Sequence, residues 1–240
     1  MMNPVNYFTF DSIPSTNFKV YCSGNQTFGG PEADIEPVSV SGKSGDLLRF
    51  NQRYANTEVA YDCWIAEDMR TNLRNLRSYL LSKTSYRRLE DTYHPDEFRL
   101  GVFTGGLDPA ISHWNSLAQF TLTFNCKPQR FLKSGETKVI SSGNSMTLIN
   151  PSYFPSKPLI RIYGNGTLTV SDRQIVVTNN ANRYLDFDCE LMDAFTGTTN
   201  RNADITITGN DFVTLHPGKV TIAKNESISS FEVIPRWFYL

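Results

Sequence analysis

The chain has 240 residues, with 23 lysines and arginines against 24 aspartates and glutamates and a formal net charge of −1. A 40% hydrophobic content supports real cores, and 20% charge is far below a disordered or polyelectrolyte composition. The absence of a basic stripe argues against nucleic-acid binding through phosphates, and near-neutrality leaves self-assembly open.

The opening stretch "MMNPVNYFTFDS" has no basic segment followed by an apolar run, so no signal peptide is expected. No stretch approaches the roughly 18 apolar residues of a membrane span. Alternation of apolar and polar residues begins at "FKVYC" (18–22) and returns in "EVAYDCWI" (58–65), "AQFTLTFNC" (118–126), "LIRIYG" (159–164), "DITITG" (204–209) and "KVTIAK" (219–224). Period two with β-branched and aromatic residues predicts strands. The cysteines Cys22, Cys63, Cys126 and Cys189 lie far apart within such segments. They read as buried free thiols of a protein folded in a reducing cytoplasm, not as a zinc site or disulfides.

Between 38 and 50, "VSVSGKSGDLLRF" contains Gly42-Lys43-Ser44, the end of a phosphate-binding loop. The full motif needs a glycine five positions before Gly42, where Pro37 offers no N–H, and a helix directly after the serine. Gly45-Asp46 interrupts one. The stretch therefore predicts a turn between two strands, with Gly42 and Gly45 as its structural turn residues.

The segment "AEDMRTNLRNLRSYLLS" (66–82) breaks the β habit: Met69, Leu73, Leu76 and Leu80 recur at helical spacing. One amphipathic helix packed on a sheet is expected, with Arg70, Arg74 and Arg77 on its solvated face. After it, "YRRLEDTYHPDEFRLGVF" has two alternating arms around His94-Pro95-Asp96-Glu97 and predicts a projecting β-hairpin. The polar run "TKVISSGNSM" marks a domain boundary near 134–146. Beyond it, short strands follow at intervals of about ten residues with turn signals between them, as in an antiparallel sandwich or barrel.

Candidate chemistry is sparse. His94 stands near Asp91, Asp96 and Glu97, but a hairpin tip would splay those side chains into water rather than converge them on a metal. His113 and His216 read as loop and turn residues, and no serine or cysteine sits in a nucleophile-elbow context. In "YLDFDCELMD", Asp186, Asp188 and Glu190 would share one strand face. That face reads as a solvated acidic surface or a guarded edge, in preference to a calcium site or glycosidase pair. The terminal "PRWFYL" needs a surface to cover its aromatics, on this chain or a neighbouring copy.

In order, "SVSGKSGDL", "RYANTEVAYDCWI", "YRRLEDTYHPDEFRLG", "FTLTFNCKPQRFLKSGE", "NPSYFPSKPLIRIYGNG" and "LDFDCELMDA" resemble the distal tail protein of long-tailed, siphovirus-type bacteriophages of Gram-positive hosts, over nearly the whole chain. The resemblance implies a mainly β protein. A ring-forming N-terminal domain (1–134) with one helix and a projecting hairpin would be followed by a linker (135–145) and a galectin-like C-terminal β-sandwich (146–240). The final residues would pack there or return to the first domain. It further implies a non-enzymatic structural hub of the virion's tail tip and baseplate, made in the host cytoplasm. Homohexameric, it would join the tail tube protein to the tail-associated fibre or lysin protein and the receptor-binding apparatus. No cofactor, metal, sequence-specific nucleic acid or membrane is implied. Tyr93, His94, Pro95, Asp96 and Glu97 would belong to the oligomer interface. The rival reading is a carbohydrate-binding adhesion module for host cell-wall saccharide, and a glycosidase ranks last.

Overall fold

A computed structural model describes residues 6–112, 117–178, 184–209 and 213–240. The chain divides into two compact units, residues 1–130 with Leu240, and Phe131–Tyr239. It is mainly β with a single described α-helix.

The first unit contains β1 (Phe8–Phe10), β2 (Ile13–Pro14), β3 (Val20–Gln26), β4 (Ala33–Val38), β5 (Leu47–Tyr54) and β6 (Thr57–Ile65). Helix α1 (Met69–Leu81) follows, then β7 (Arg87–Asp91), β8 (Glu97–Phe103), β9 (Ala110–Ser112) and the long β10 (Leu117–Leu132). The main sheet runs β2-β1-β7-β8-β10-β6-β3, with β9 also pairing β10. Alternation decides its faces. On β6, Val59, Tyr61, Cys63 and Ile65 point inward; opposite them in register stand Phe124, Leu122, Phe120 and Ala118 of β10, all buried. Phe8 and Phe10 of β1 complete an aromatic cluster with Tyr61 and Phe124.

The helix lies on that face because Met69, Leu73, Leu76 and Leu80 form one apolar stripe, and all four are buried in the same core. The Tyr79 hydroxyl donates to the Phe10 carbonyl at 2.6 Å, tying the helix to β1. The expected helix over 66–82 is thus realised over Met69–Leu81, starting after Asp68 in a left-handed conformation (φ 39°).

The second unit contains β11 (Val139–Ile140), β12 (Ser145–Asn150), β13 (Leu159–Gly164), β14 (Gly166–Val170), β15 (Arg173–Val177) and β16 (Leu185–Asp188). They are followed by β17 (Asp193–Thr196), β18 (Thr199–Asn200), β19 (Ile205–Ile207), β20 (Gly218–Lys224), β21 (Ile228–Ile234) and β22 (Phe238–Tyr239). Two antiparallel sheets, β11-β21-β13-β16-β17-β18 and β12-β20-β14-β15-β19, enclose one core that includes Ile160, Ile162, Phe187, Ile222 and Phe231. The stretch read as a linker, 135–145, includes β11, which pairs with β21.

The C-terminal segment is docked. Trp237 is buried in the second core, its carbonyl accepts from the Leu132 amide at 2.8 Å, and Phe238 stacks on Phe154.

One expectation needs correction. The arms around 92–96 do form a hairpin, β7–β8, but it does not project: β7 also pairs β1, and β8 lies beside β10. The hairpin that stands apart is β4–β5, a separate two-stranded sheet.

Candidate functional site

The sequence between 33 and 54 has apolar residues in both phases of its alternation, Leu47 and Leu48 being adjacent, so no single face can be the buried one. The structure shows the consequence. Ile35 pairs with Phe50 and Pro37 with Leu48, which puts these four on one face. Among the described residues they stay largely uncovered: Ile35 is 46% exposed, Phe50 45% and Leu48 68%. The other face carries Glu36 opposite Arg49, and Asp34, which forms an ion pair with Arg53 at 3.3 Å. A contiguous uncovered apolar face on an isolated ribbon is a candidate interaction surface, since two strands alone are marginally stable.

The turn of this ribbon is the Gly42-Lys43-Ser44 stretch. Gly42 has φ +80° and Gly45 φ +85°, and the Lys43 amide donates to the Val40 carbonyl at 3.1 Å. Strand β5, not a helix, follows, so no row of amides converges on a phosphate site.

The ribbon's root is anchored firmly. The Thr27 carbonyl accepts from Arg99 at 2.7 Å and from Arg130 at 3.2 Å, and the Gly29 carbonyl accepts from Arg130 at 2.7 Å. Arg99 is only 6% exposed. Burial, with the neighbouring charge of Arg99, lowers the pKa of the Arg130 guanidinium, while Glu97 and Asp91 pull the other way. Phe28 closes over the His94 ring at a centroid distance of 4.6 Å.

The 92–96 turn is therefore the floor beneath that root. Asp91 folds inward and accepts from the Tyr61 hydroxyl at 2.8 Å and from the amides of Tyr93 and His94 at 3.0 and 2.9 Å; its Oδ1 lies 3.1 Å from His94 Nδ1. This differs from the expected splaying into water, because the hairpin is enclosed. Tyr93, His94 and Glu97 are half-buried, whereas Pro95 and Asp96 are exposed. The buried His94 Nε2 has no hydrogen-bond partner among the described residues.

Other sequence candidates resolve differently. His113 lies outside the described residues, and His216 is an exposed residue ahead of Gly218. The acidic strand is not a solvated face, nor an edge: β16 lies between β13 and β17, and it ends at Asp188. Asp186 takes a bidentate contact from Arg161, its cross-strand partner, at 2.6 and 2.8 Å. Asp188 takes one from Arg236 at 2.8 Å for both bonds. Both carboxylates are buried and closed in ion pairs, which presents no open carboxylate pair to a substrate; Glu190 turns away to Lys157 at 3.5 Å. All four thiols are buried, and burial pushes Cys22 and Cys126 up to about 12 and raises Cys63 and Cys189 as well. Among the described residues no cluster of histidine, cysteine and acidic groups could hold a metal, and no helix is long and apolar enough to cross a membrane.

No protein-family model matches the chain, and no curated protein matches it in sequence. Solved structures do match its fold. The Dit protein of SPP1 (gp 19.1), described as a paradigm of the hub adsorption apparatus in Gram-positive infecting phages, superposes with a TM-score of 0.70 at 14% identity; the match covers 98% of this chain and 100% of that one. Two structures of the phage P2 baseplate in its activated conformation, with Ca and with Sr, give TM-scores of 0.53 and 0.52 at 13% identity, covering 95% of this chain and 97% of theirs. The fold of this chain is that of phage hub and baseplate proteins.

Proposed function

We propose that the protein is the hub subunit of a bacteriophage tail tip, a structural and non-enzymatic part of the virion whose copies close into a homohexameric ring. The ring joins the tail tube protein on one side to the tail-associated fibre or lysin protein and the receptor-binding apparatus on the other. End-to-end likeness to a hub protein carries this reading: the match covers 98% of this chain and 100% of that one.

The uncovered β4–β5 ribbon supports the multimer. Its four apolar side chains leave water only when a partner surface covers them, at roughly 25 cal/mol per Å². A head-to-tail contact made by an arm on each copy is heterologous, and it leaves no free end when the rotation closes. The interface residues expected at 93–97 then enter in a smaller role, through exposed Pro95 and Asp96 beside the arm's root. The second unit is the galectin-like sandwich of this reading.

Light scattering and electron imaging of the purified protein test the proposal, alone and with the tail tube and fibre or lysin proteins. The expected particle is a six-fold annulus of 27.2 kDa subunits. Excising residues 34–51 in favour of a short Gly/Ser turn should yield folded monomers. A wild-type protein that stays monomeric even beside those partners refutes the hub reading.

A further inference from the structure

Cys22 and Cys63 stand directly opposite each other in the antiparallel register of β3 against β6. The Cys22 amide donates to the Asn6 carbonyl at 3.0 Å, and the Cys22 carbonyl accepts from the Tyr93 hydroxyl at 3.4 Å. Both main-chain groups therefore point away from β6. That makes Cys22–Cys63 a non-hydrogen-bonded pair, the kind in which the Cα atoms stand only about 4.5 Å apart and the side chains lie closest. A disulfide needs Cα atoms about 4.4–6.8 Å apart, so the backbone is already placed for one. Both side chains lie on the inner face, 5% and 3% exposed. Charge on Cys22 would raise the Cys63 thiol beyond what burial does, which puts the two sulfurs within electrostatic reach. The remaining thiols have no such partner. Cys126 is opposite Thr57, six positions from Cys63 along β6 and about 20 Å away at the strand rise. Cys189 belongs to the other unit.

We propose that Cys22 and Cys63 form a latent cross-strand disulfide site, reduced when the chain folds and closed afterwards by a small-molecule disulfide acting as oxidant. The thiolate of one cysteine attacks the small disulfide, forms a mixed disulfide and expels one thiolate. The second cysteine then attacks the protein sulfur and expels the other. The two protons lost by the cysteines end on the two released thiols, and the small disulfide accepts both electrons. The Cys63 thiol, which now donates to the Tyr61 carbonyl at 3.4 Å, gives up that contact.

The site is guarded by its own burial. Few thiolates form in the closed sheet, so the reaction waits for local opening of β3, the end strand of the main sheet. Closure ties that strand to β6 and completes a loop that contains the whole β4–β5 ribbon. A virion released from a reducing cytoplasm meets an oxidising medium, which supplies the occasion for the bond. That occasion rests on the hub reading; the chemistry does not, and its test is independent of particle size.

The full-length reduced protein is held in oxidised glutathione, once folded and once during refolding from urea. Free thiols should fall from four to two, and the intact mass by two hydrogens. A non-reducing tryptic digest should join peptide 20–43 to peptide 54–70. The linked protein should keep its circular dichroism spectrum, and its unfolding constant in urea titration should drop about 30-fold or more. Cys22→Ser and Cys63→Ser should form no link, and oxidation should not raise their midpoints.

Refolding removes the barrier of access. A wild-type protein that regains its native spectrum there yet keeps four thiols, carries only glutathione adducts, or joins Cys126 to either cysteine overturns the site. So does a linked protein with a lowered urea midpoint, since the bond would then distort the register. Linking on refolding alone supports it, with the closed strand as the guard.

Discussion

The hairpin β7–β8 is enclosed on both edges, by β1 and by β10, whereas among the described residues β4–β5 has no third strand on either edge. Both alternate in sequence and both turn through a polar loop. Leu89 of the first is 2% exposed, while Leu48 of the second is 68% exposed. Alternation tells a ribbon which residues share a face; it does not tell it what will lie against that face. Where the chain itself supplies the cover, the ribbon becomes core. Where it does not, the same chemistry becomes a request for a partner.

The widest separation between the two comes from placing a charge in each. Leu89→Asp sets an unpaired carboxylate inside the main core, at a cost of several kcal/mol that exceeds what a unit of this size can lose. The first unit should lose its cooperative unfolding transition, followed by circular dichroism in urea. Leu48→Asp should leave stability within about 0.5 kcal/mol of wild type and yet reduce the assembled particle to monomers in light scattering. Equal destabilisation by both would show that β4–β5 is covered within its own chain.

The contrast between enclosed and open extends to charge pairs. Arg236 and Asp188 meet in a bidentate pair whose carboxylate side is 9% exposed, and Arg53 and Asp34 meet on the arm with side chains 69% and 39% exposed. Arg236→Ala leaves Asp188 buried and unpaired and should cost about 3 kcal/mol in the second unit, the low end for such a loss because Arg236 keeps some exposure. Arg53→Ala should cost less than about 1 kcal/mol.

Acid sharpens the difference. Burial would raise the Asp188 carboxyl, but hydrogen bonds and charge from Arg236, with the amides of Leu191 and Glu190, outweigh it and hold the group below its usual range. A depressed folded-state pKa contributes stability that is complete above the unfolded value of about 4 and is lost as pH falls through the folded one. The gap between wild type and Arg236→Ala should therefore narrow below about pH 4 in denaturant titrations. A gap that widens there would mean the pair is not what holds the carboxylate charged.

Much of this was legible in the sequence, and the rest had physical reasons to be hidden. The buried phases of β6 and β10 and the helical stripe from Met69 to Leu80 follow from local periodicity, and the structure uses them as read. The fate of the two hairpins was not local. What encloses β7 is β1, whose Phe8, Thr9 and Phe10 pair with Asp91, Glu90 and Leu89 from the far end of the unit. The acidic strand failed for the same reason. Its partners, Arg161 and Arg236, lie 25 and 48 residues away, and a carboxylate on a strand face looks the same whether water or a guanidinium will meet it. A signal existed in each case. A single arginine in the outward phase of "LIRIYG" anticipates a cross-strand anion, and adjacent Leu47 and Leu48 cannot both face one core.

Glycines give the smallest and most local version of the comparison. A Cβ on Gly135 would run into the backbone nitrogen of Trp237, where the Arg236 amide donates to the Gly135 carbonyl at 2.8 Å. Neither backbone can yield without moving the docked C-terminal segment, so Gly135→Ala should cost about 1–3 kcal/mol in the second unit. A Cβ on Gly42 meets nothing, and its only penalty is the left-handed backbone at φ +80°, about 1 kcal/mol. That strain sits at the turn of a separate two-stranded sheet, so local opening can relieve it without unfolding the unit. Gly42→Ala should therefore shift the global unfolding midpoint less than Gly135→Ala does, and Gly42→Asn, which tolerates this conformation, should shift it less again. A midpoint lowered as far by Gly42→Ala as by Gly135→Ala would couple the tip to the core, and the ribbon could no longer be regarded as open.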